Sequence, residues 1–183
     1  AGKADTDVMD GGEGTGDVLK LSAGKHTFGD NDKLKNIEKI ETNASGSEVI
    51  LTAQKEALEI TGGDGVDKIT GGEGVDTINA GKGDDEITVA AAGKADTDVM
   101  DGGDGTADVL KLSTGKHTFG DDNKLKNIEK IETDSSGSEV ILSAQKEALE
   151  ITGGDGVDKI TGGEGVDTIN AGKGDDEITV AAA

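Results

Sequence analysis

Apolar residues recur at a regular spacing along part of this chain, separated by glycines and acids. From position 60 to 88 the sequence reads ITGGDGVDKITGGEGVDTINAGKGDDEIT, with an isoleucine every nine residues. Residues 62–70, 71–79 and 80–88 follow the pattern G-G-x-G-x-D-x-U-x, where U is large and apolar and the last of the three begins with Ala. Glycine tolerates the left-handed backbone of tight turns, and x-U-x is a minimal strand with one inward side chain. Each nonamer is therefore predicted to form a turn followed by a short strand.

Two nonamers are long enough to carry the chain out and back, so that a coil of 18 residues pairs in parallel with the next coil. Ile69 is then expected to stack on Ile87 in one sheet, and Ile60 on Ile78 in a facing sheet. The core is a thin aliphatic seam, which suits a chain that has no Trp or Tyr and only two Phe. The pattern predicts an all-β fold, a parallel β-roll or β-solenoid.

The whole pattern occurs twice, because residues 1–91 and 92–182 align without a gap and differ at only eight positions. Near-identical tandem copies are typical of arrays that provide length or valency. We divide the chain into a first repeat unit, 1–91, and a second, 92–183. The first comprises degenerate turns at 1–19, a glycine-poor β-coil at 20–59 and nonamers at 62–88, and the second comprises the same parts at 92–110, 111–150 and 153–179.

The glycine-poor stretch keeps apolar residues at about the same spacing, so the solenoid is expected to continue through it. The residues that carry the spacing are Val18, Phe28, Ile37, Ile40, Val49 or Ile50, Leu58 and Ile60. NIEKIET and SEVILTA are predicted strands. AQKEALE, residues 53–59, is rich in helix formers and predicts one helical turn.

Charge adds a requirement to this picture, since 39 acidic residues stand against 18 basic ones and the net charge is -21. Such a balance argues against binding of nucleic acid or of anionic membranes, and no apolar run approaches the length of a membrane span. Stacked coils place Asp67 and Asp85 roughly 5 Å apart. Two bare carboxylates at that distance repel by about 3 kcal/mol at an effective dielectric constant of ~20. A few such stacks would unfold a domain whose stability is about 5–15 kcal/mol, unless a cation lies between them.

Calcium fits this requirement, because it takes 6–8 oxygen ligands and accepts backbone carbonyls beside carboxylates, whereas magnesium demands strict octahedral geometry. The glycine-rich turns expose carbonyl oxygens. The segment 20–59 has no glycine turns of this type, so it is expected to be free of calcium. The predicted carboxylate ligands are Asp67, Asp76, Asp85, Asp158, Asp167 and Asp176. The predicted turn glycines are Gly62, Gly65, Gly71, Gly74, Gly81, Gly83, Gly153, Gly156, Gly162, Gly165, Gly172 and Gly174.

The degenerate turns at the start of the second copy carry a weaker form of the pattern. Val99 and Val109 occupy the apolar eighth position, and the acids are displaced to position seven. Turns 71–76 and 80–85 are nonetheless expected to face 92–98 and 102–108, so that the roll runs through the junction without a hinge. Further candidate ligands at the junction are Asp96, Asp98, Asp104 and Asp108.

With three consecutive matches in each copy, the nonamers resemble the RTX (repeats-in-toxin) calcium-binding repeats of secreted bacterial proteins. The resemblance covers 62–88 and 153–179. It implies a right-handed parallel β-roll, calcium ions in the glycine-rich turns and export by a type I secretion system. It also implies a secreted or cell-surface location, with surface-layer proteins and RTX adhesins as the natural parents. The opening AGKADTDVMD lacks an initiator Met and a signal peptide, as expected for a fragment of a longer protein.

The function predicted from these features is structural: a calcium-stabilised stalk, spacer or lattice segment. Its expected partners are calcium ions, neighbouring repeats of the same chain, and a cell surface or other copies in a lattice. One alternative is a binding module that recognises a glycan, ice or another surface through a flat sheet face. Its possible recognition rank is Thr61, Thr70, Asn79 and Thr88. Another alternative is the non-catalytic export tail of an RTX toxin or protease.

Enzyme activity is not expected, because the sequence has no serine elbow, phosphate-binding loop or His-Glu metal motif. The absence of Cys excludes disulfides and thiolate metal sites. His26 and His117 occur once per copy in GKHTF, with no second His nearby. Both are interpreted as surface strand residues, with no role as ligand or base.

Overall fold

The computed structural model describes residues 7–30, 32–90 and 96–180, which form short β-strands joined by tight turns. These ranges contain no helix, and therefore none that is long and apolar enough to cross a membrane. The strands are β1 Met9–Asp10, β2 Val18–Lys20, β3 Gly24–Thr27, β4 Leu34–Lys35, β5 Lys39–Glu41, β6 Ser47–Ile50, β7 Glu59–Thr61, β8 Lys68–Thr70, β9 Thr77–Asn79, β10 Glu86–Val89, β11 Val99–Asp101, β12 Val109–Leu112, β13 Gly115–Thr118, β14 Leu125–Lys126, β15 Lys130–Thr133, β16 Ser138–Ile141, β17 Glu150–Thr152, β18 Lys159–Thr161, β19 Thr168–Asn170 and β20 Glu177–Thr179.

All of the strand pairs are parallel, and they build four sheets that we number by their position around the solenoid. Sheet 1 contains β1 and β4; sheet 2 runs β2-β5-β7-β9-β11-β14; sheet 3 runs β3-β6-β8-β10-β12-β15-β17-β19; sheet 4 runs β13-β16-β18-β20. Strands that are adjacent in a sheet come from successive coils of the chain, which is the organisation of a parallel β-solenoid. The predicted fold class is thereby confirmed.

Within the nonamers the register is the one that the nine-residue period predicts. Ile69 pairs with Ile87 in sheet 3, and Ile60 pairs with Ile78 in sheet 2. All four side chains are buried, and they belong to one continuous hydrophobic core. A three-residue strand with a single inward side chain is sufficient here, because each Ile packs against the Ile of the next coil.

Outside the nonamers the coils are wider, because they have three strands instead of two. β11, β12 and β13 lie in sheets 2, 3 and 4, and β14, β15 and β16 repeat that path in the next coil. The first copy begins in the same way, with β1 to β3 followed by β4 to β6. The two aromatic residues of the chain, Phe28 and Phe119, are fully buried at these wider coils. Large rings fill the additional interior that a third face creates.

The third face changes which two sheets form the sandwich. The nonamers of the first copy lie in sheets 2 and 3, whereas their counterparts in the second copy lie in sheets 3 and 4. Sheet 3 therefore belongs to both copies. Across the junction Ile78 pairs with Met100, and Ile87 pairs with Leu110. The stack continues from one copy into the next with no interruption of its strand pairing.

The prediction of a helical turn at 53–59 is wrong, because this segment is an irregular corner that follows its neighbours. Gln54 is buried, and its side chain donates hydrogen bonds to the carbonyl oxygens of Phe28 (3.4 Å) and Asp30 (2.8 Å). Its own carbonyl accepts the N–H of Glu73 at 2.6 Å. Contacts with the coils on both sides outweigh the modest helix propensity of seven residues.

The expected inward residues of the degenerate turns also require correction. Met100 and Leu110 are completely buried, while Val99 and Val109 are only half-buried. The apparent displacement of the acid comes from one additional residue in the turn. The acid still lies two residues before the inward side chain, as Asp98 does before Met100, so the strand keeps the normal frame.

Two further expectations about side chains fail for a related reason. In the first copy Val18 is exposed and Leu19 faces Ile40. His26 and His117 are buried, not surface residues, because they hold the inward positions of β3 and β13. Each places its Nε2 atom 2.7 Å from the carbonyl oxygen four residues earlier. The interior of the wide coils can thus accommodate an imidazole that has a backbone partner.

The outward positions of the sheets carry Lys and Glu in alternation on successive coils. Lys25 pairs with Glu48 at 2.7 Å in sheet 3, and Lys39 pairs with Glu59 at 2.7 Å in sheet 2. In the nonamer coils Lys68 pairs with Glu86, and Lys159 pairs with Glu177, each at 3.6 Å. The sheets thus carry both signs of charge on their exterior, whereas the turns carry the excess of acid.

The four-residue Thr/Asn rank is divided between opposite sheets. Thr61 pairs with Asn79 in sheet 2, and Thr70 with Thr88 in sheet 3. No single face carries all four side chains, so the rank does not support a flat recognition surface.

Candidate metal centre

The sixth-position acids lie where each turn enters its strand, two residues before the inward isoleucine. The carboxylate of Asp67 accepts two backbone hydrogen bonds: Oδ1 from the N–H of Ser47 in the preceding coil (2.7 Å), and Oδ2 from the N–H of Gly63 in its own turn (2.9 Å). Asp76 accepts the corresponding pair from Leu58 and Gly72. Asp67 and Asp76 thus each close their own turn and join that turn to the coil before it.

These bonds connect acids of successive coils into a column. The N–H of Asp67 donates to Oδ1 of Asp85 (2.7 Å), and the N–H of Asp85 donates to Oδ1 of Asp108 (2.7 Å). The N–H of Asp108 in turn donates to Oε2 of Glu129 (2.8 Å). We call Asp67, Asp85, Asp108 and Glu129 the carboxylate ladder. It crosses the junction between the copies.

Shorter columns hold the remaining sixth-position acids. The N–H of Asp76 donates to Asp98 at 2.9 Å, and the N–H of Asp158 donates to Asp176 at 2.9 Å. Asp167 accepts the N–H of Leu149 at 3.1 Å. The structure therefore brings each of the six acids against an adjacent coil.

The two other junction candidates occupy different places. Asp96 is exposed, and its carboxylate accepts the N–H of Thr118. Asp104 is exposed as well, and its main chain pairs with the main chains of Gly81 (2.7 Å) and Gly83 (3.0 Å). Only Asp98 and Asp108 of the four junction candidates carry the ladder type of contact.

Glu129 was missed by sequence reasoning, although a signal for it exists. In NIEKI the acid stands two residues before the buried Ile131, which is the spacing of Asp67 and Ile69. Glu38 repeats the arrangement in the first copy, where it accepts the N–H of Asp17 at 2.9 Å. Without glycines before it, the D/E-x-U spacing was not recognised as a turn position.

The ladder is most strained electrostatically at the junction. Asp85 and Asp108 are almost fully buried, with 2% and 1% of their surfaces exposed, and Oδ2 of each has no hydrogen-bond partner. Burial raises the pKa of Asp85 to about 6; the bond from the Asp67 N–H opposes this shift, and the charge of Asp108 adds to it. Burial likewise raises the pKa of Asp108, with a contribution from the charge of Glu129. Two buried carboxylates with a free oxygen each favour a neutralising cation.

Glycine leaves open the space beside Oδ2 of Asp108. A Cβ atom on Gly105 would clash with Oδ2 of Asp108 and with the carbonyl oxygen of Gly83, and one on Gly103 would clash with the carbonyl oxygen of Gly81. Gly81 and Gly83 themselves have positive φ angles of 102° and 125°. The turns therefore need glycine both for their backbone conformation and for the oxygen-lined space between coils.

The facing turns at the junction present both carboxylate and backbone carbonyl oxygens. Among the residues that the structure describes, no three His, Cys, Asp or Glu side chains converge on one point. What the stacked turns offer is two carboxylates together with carbonyl oxygens. Such a set suits calcium, which accepts neutral oxygen ligands and flexible geometry. The residues present thus fit a calcium ion.

A model of the RTX calcium-binding nonapeptide repeat, in four copies, matches residues 59–89 and 150–180. Both segments are RTX calcium-binding repeats. No curated protein matched the chain, and no solved structure matched it. RTX nonapeptide repeats bind calcium, so the cofactor predicted from the acids and glycines is confirmed. The degenerate RTX-like turn 102–108 and Glu129, which extend the ladder, lie outside the matched ranges.

Proposed function

We propose that this chain is a calcium-stabilised stalk, spacer or lattice segment of a secreted or cell-surface protein, with a structural and not a catalytic role. The coarser part of this statement, a calcium-binding repeat segment in a β-solenoid, follows from the RTX match and the fold. The observation that carries the finer part is the carboxylate ladder. It makes folding depend on a cation, and it runs without a break from one copy into the next.

In this proposal calcium ions lie between stacked turns and are held by the sixth-position acids and by carbonyl oxygens of the turn glycines. At the junction the holders are Asp85 and Asp108, together with the carbonyls of Gly81 and Gly83. The bound ion supplies positive charge where two carboxylates are buried. The chain's own groups fix the coils in register, through the backbone N–H that each acid accepts. Calcium binding is thereby coupled to folding.

An elongated spacer role is supported by the strand pairing and the exterior. Sheet 3 contributes eight strands that span both copies. The outer faces of the coils carry paired Lys and Glu, which do not favour lateral aggregation. RTX repeats occur in secreted bacterial proteins, and extracellular calcium modules bind with dissociation constants of about 10⁻⁴–10⁻³ M. Such an affinity would leave the chain unfolded inside a cell and folded after export.

A calcium titration followed by far-UV circular dichroism tests the proposal. We expect a largely disordered spectrum in excess chelator and a β-rich spectrum in millimolar calcium, with little change in magnesium. Identical spectra in chelator and in calcium would contradict calcium-coupled folding.

The ligand assignment is tested by Asp67→Ala, with Asp64→Ala as the matched control in the same turn. Asp67 is fully buried and accepts two backbone N–H groups, whereas the side chain of Asp64 is exposed and pairs with Lys82. We expect Asp67→Ala to remove at least one bound calcium in isothermal titration calorimetry and to cost about 2–5 kcal/mol of folding stability, from two hydrogen bonds to a charged group. Asp64→Ala should change neither the number of bound calcium ions nor the folding stability by much. Equal effects of both substitutions would contradict the assignment.

A further inference from the structure

The carboxylate ladder ends at a corner that has no glycine. This corner, residues 127–129, joins β14 to β15 and lies on the turn 102–108 of the preceding coil. The N–H groups of Glu129 and Lys130 both donate to the carbonyl oxygen of Asp108, at 3.2 and 3.0 Å. A seven-residue, RTX-like turn is thus stacked against a corner of only three residues. The contact between them lies outside the ranges that the RTX model matches.

Asn127 stands where a turn has its first residue. A Cβ atom on Gly62, the first residue of a nonamer, would clash with the carbonyl oxygen of Ala80, the first residue of the nonamer one coil later. A Cβ atom on Gly102 would clash in the same way with the carbonyl oxygen of Asn127. The corner therefore keeps the first carbonyl of a turn at its usual place.

Glu129 stands where a turn has its sixth residue. The N–H of Asp108 donates to Oε2 of Glu129 at 2.8 Å, as the N–H of Asp67 donates to Oδ1 of Asp85 at 2.7 Å between two nonamers. The four residues that separate these positions in a nonamer are replaced by one, the buried Ile128. The corner is thus a shortened turn that retains one carbonyl and one acid.

The facing turn contributes an oxygen that has no partner. Asp108 is 1% exposed, and its Oδ2 accepts no hydrogen bond. A Cβ atom on Gly102 would lie 2.8 Å from this oxygen and closer still to the carbonyl oxygen of Asn127. The two oxygens therefore border the same point, and a single calcium ion can contact both, because its oxygen ligands lie at about 2.3–2.6 Å. A buried carboxylate oxygen without a partner needs such compensation.

We propose that a calcium ion binds between the turn 102–108 and the corner 127–129, at a position that we call the corner site. Its ligands are Oδ2 of Asp108, the carbonyl oxygen of Asn127 and the carboxylate of Glu129, with water in the remaining positions of the roughly 6–8 that calcium fills. Asn127 is exposed, so this side of the site is open to water. The inference rests on the proposed function, because it uses the same ion and the same stacking of coils.

The corner site is separate from the junction site of Asp85 and Asp108. Oδ2 of Asp108 borders the carbonyl oxygen of Gly83 in the preceding coil, since a Cβ atom on Gly105 would clash with both, and it borders the carbonyl oxygen of Asn127 in the following coil. A carboxylate has about four lone-pair sites, and Asp108 uses one of them for the N–H of Asp85. Asp108 can therefore serve an ion on each side.

The first copy contains the same arrangement at Asp17, Asn36 and Glu38. The N–H of Asp17 donates to Oε2 of Glu38 at 2.9 Å, and Oδ2 of Asp17 is buried without a partner. A Cβ atom on Gly11 would clash with the carbonyl oxygen of Asn36 and would lie 2.9 Å from Cγ of Asp17. A second corner site therefore takes two of its ligands from the segment 20–59, which the sequence alone predicts to be free of calcium.

The two asparagines are held in a backbone conformation that side chains rarely adopt. Asn36 and Asn127 have φ angles of 49° and 50°, in the left-handed region that asparagine tolerates better than most residues. Nδ2 of Asn36 donates to Oδ1 of Asp10, and Nδ2 of Asn127 donates to Oδ1 of Asp101, both at 2.7 Å. Protein contacts alone therefore fix the residue whose carbonyl oxygen is a ligand, so little further ordering is needed when the ion binds.

Glu129→Gln tests the corner site, because Gln keeps an oxygen for the N–H of Asp108 and removes the negative charge. Equilibrium dialysis of the full chain in saturating calcium counts the bound ions, and circular dichroism of the same samples reports folding. We expect Glu129→Gln and Glu38→Gln each to lose one ion, and the double variant to lose two. Glu132→Gln is the matched control: Glu132 lies in β15 and pairs with Lys130 at 3.0 Å, so this variant should bind as many ions as the unmodified chain.

The outcomes separate the corner site from the proposed function. A Glu129→Gln chain that folds with calcium and keeps all of its ions overturns the inference and leaves the proposed function intact. An unmodified chain that does not fold with calcium contradicts the proposed function. If Glu129→Gln does not fold, a crystal structure of the unmodified chain in calcium decides. We expect an ion about 2.3–2.6 Å from both Oδ2 of Asp108 and the carbonyl oxygen of Asn127, and the lack of an ion at that position overturns the inference.

Discussion

At the scale of single residues, the sixth-position acid has two tasks that a list of ligands conceals. In the G-G-x-G-x-D turns its carboxylate accepts a backbone N–H from its own turn and another from the preceding coil, as Asp67 does from Gly63 and Ser47. Asp85, in the turn that begins with Ala80, accepts only the bond from the preceding coil. The acid therefore sets the register between coils and at the same time supplies negative charge for a cation. The cost of this arrangement is highest at Asp85, where burial and neighbouring acids raise the pKa.

The raised pKa of Asp85, about 6 against an ordinary 3.8, predicts how the metal-free chain depends on pH. Between these values the folded state binds more protons than the unfolded state, so its stability falls as pH rises through the window. In chelator, we expect β-structure to increase as the pH is lowered from about 7 to about 5. Far-UV circular dichroism measures the change, and Asp85→Asn should weaken it. Loss of structure over the same interval would contradict the prediction.

The glycines that face a neighbouring coil predict a second residue-level effect. Gly105→Ala would push a methyl group into Oδ2 of Asp108 and the carbonyl of Gly83, so we expect a loss of about 1–3 kcal/mol in folding stability and of calcium at the junction. Gly16→Ala is the control, because an added methyl group at this position meets nothing within 4 Å, and the second copy already carries Ala107 there. Urea denaturation in calcium compares the two variants. Equal losses would show that the clash is relieved by movement of the turn.

At the scale of elements, the nine-residue period predicted the two-sheet coils because each nonamer repeats one turn and one inward side chain. The third face could not be predicted in this way. β3 and β4 are separated by an irregular corner, and the inward residues there are as different as His26, Phe28 and Leu34. Where the period fails, only the hydrogen bonds between coils decide the path. The helix formers at 53–59 illustrate this, since the side chain of Gln54 donates hydrogen bonds to the corner at Phe28 and Asp30 in the preceding coil.

Gln54→Ala therefore tests the wide corner. It removes the side-chain donor to the carbonyl oxygens of Phe28 and Asp30, and the carbonyl of the buried Phe28 loses that partner. We expect a loss of about 1–3 kcal/mol in folding stability with unchanged calcium stoichiometry. Thermal unfolding in saturating calcium, with the exposed neighbour Thr52→Ala as control, measures the difference. A change in the number of calcium ions would connect this corner with the metal sites, contrary to expectation.

The candidate site was predictable to a similar degree and for the same reason. The glycine-acid turns predict Asp67, Asp76 and Asp85 as site residues, because each lies two residues before an inward isoleucine. The charge of the ladder continues past the nonamers through Asp108 and Glu129, where the glycine signature is stretched or absent. Their role depends on which strand follows which in sheet 3, and a linear pattern does not contain that information.

At the scale of the whole molecule, the two copies form one stack, since strand pairs and the carboxylate ladder both cross the junction. No described segment between the copies acts as a hinge in sheets 2 or 3. The molecule should therefore respond to calcium as one cooperative unit, with the junction as strong as the nonamer coils.

Hydrogen exchange in millimolar calcium tests this continuity. The amides of Val99 and Val109, which donate to Asp76 and Asp85 across the junction at 2.9 and 2.8 Å, should be protected to about the same degree as that of Glu86, which donates to Asp67 within the first copy. In chelator all three should exchange rapidly. Junction amides that exchange much faster than Glu86 in calcium would show that the copies open independently.

The sharing of sheet 3 between the copies has a consequence for what a long array displays. Lys25 and Glu48 face outward from sheet 3, whereas their exact counterparts Lys116 and Glu139 face outward from sheet 4. Equivalent side chains in consecutive units thus point in different directions around the solenoid axis. An array of such units would carry each surface feature along a spiral, not in a straight row. A neighbour that recognises one unit would then meet its binding surface on several sides of the solenoid.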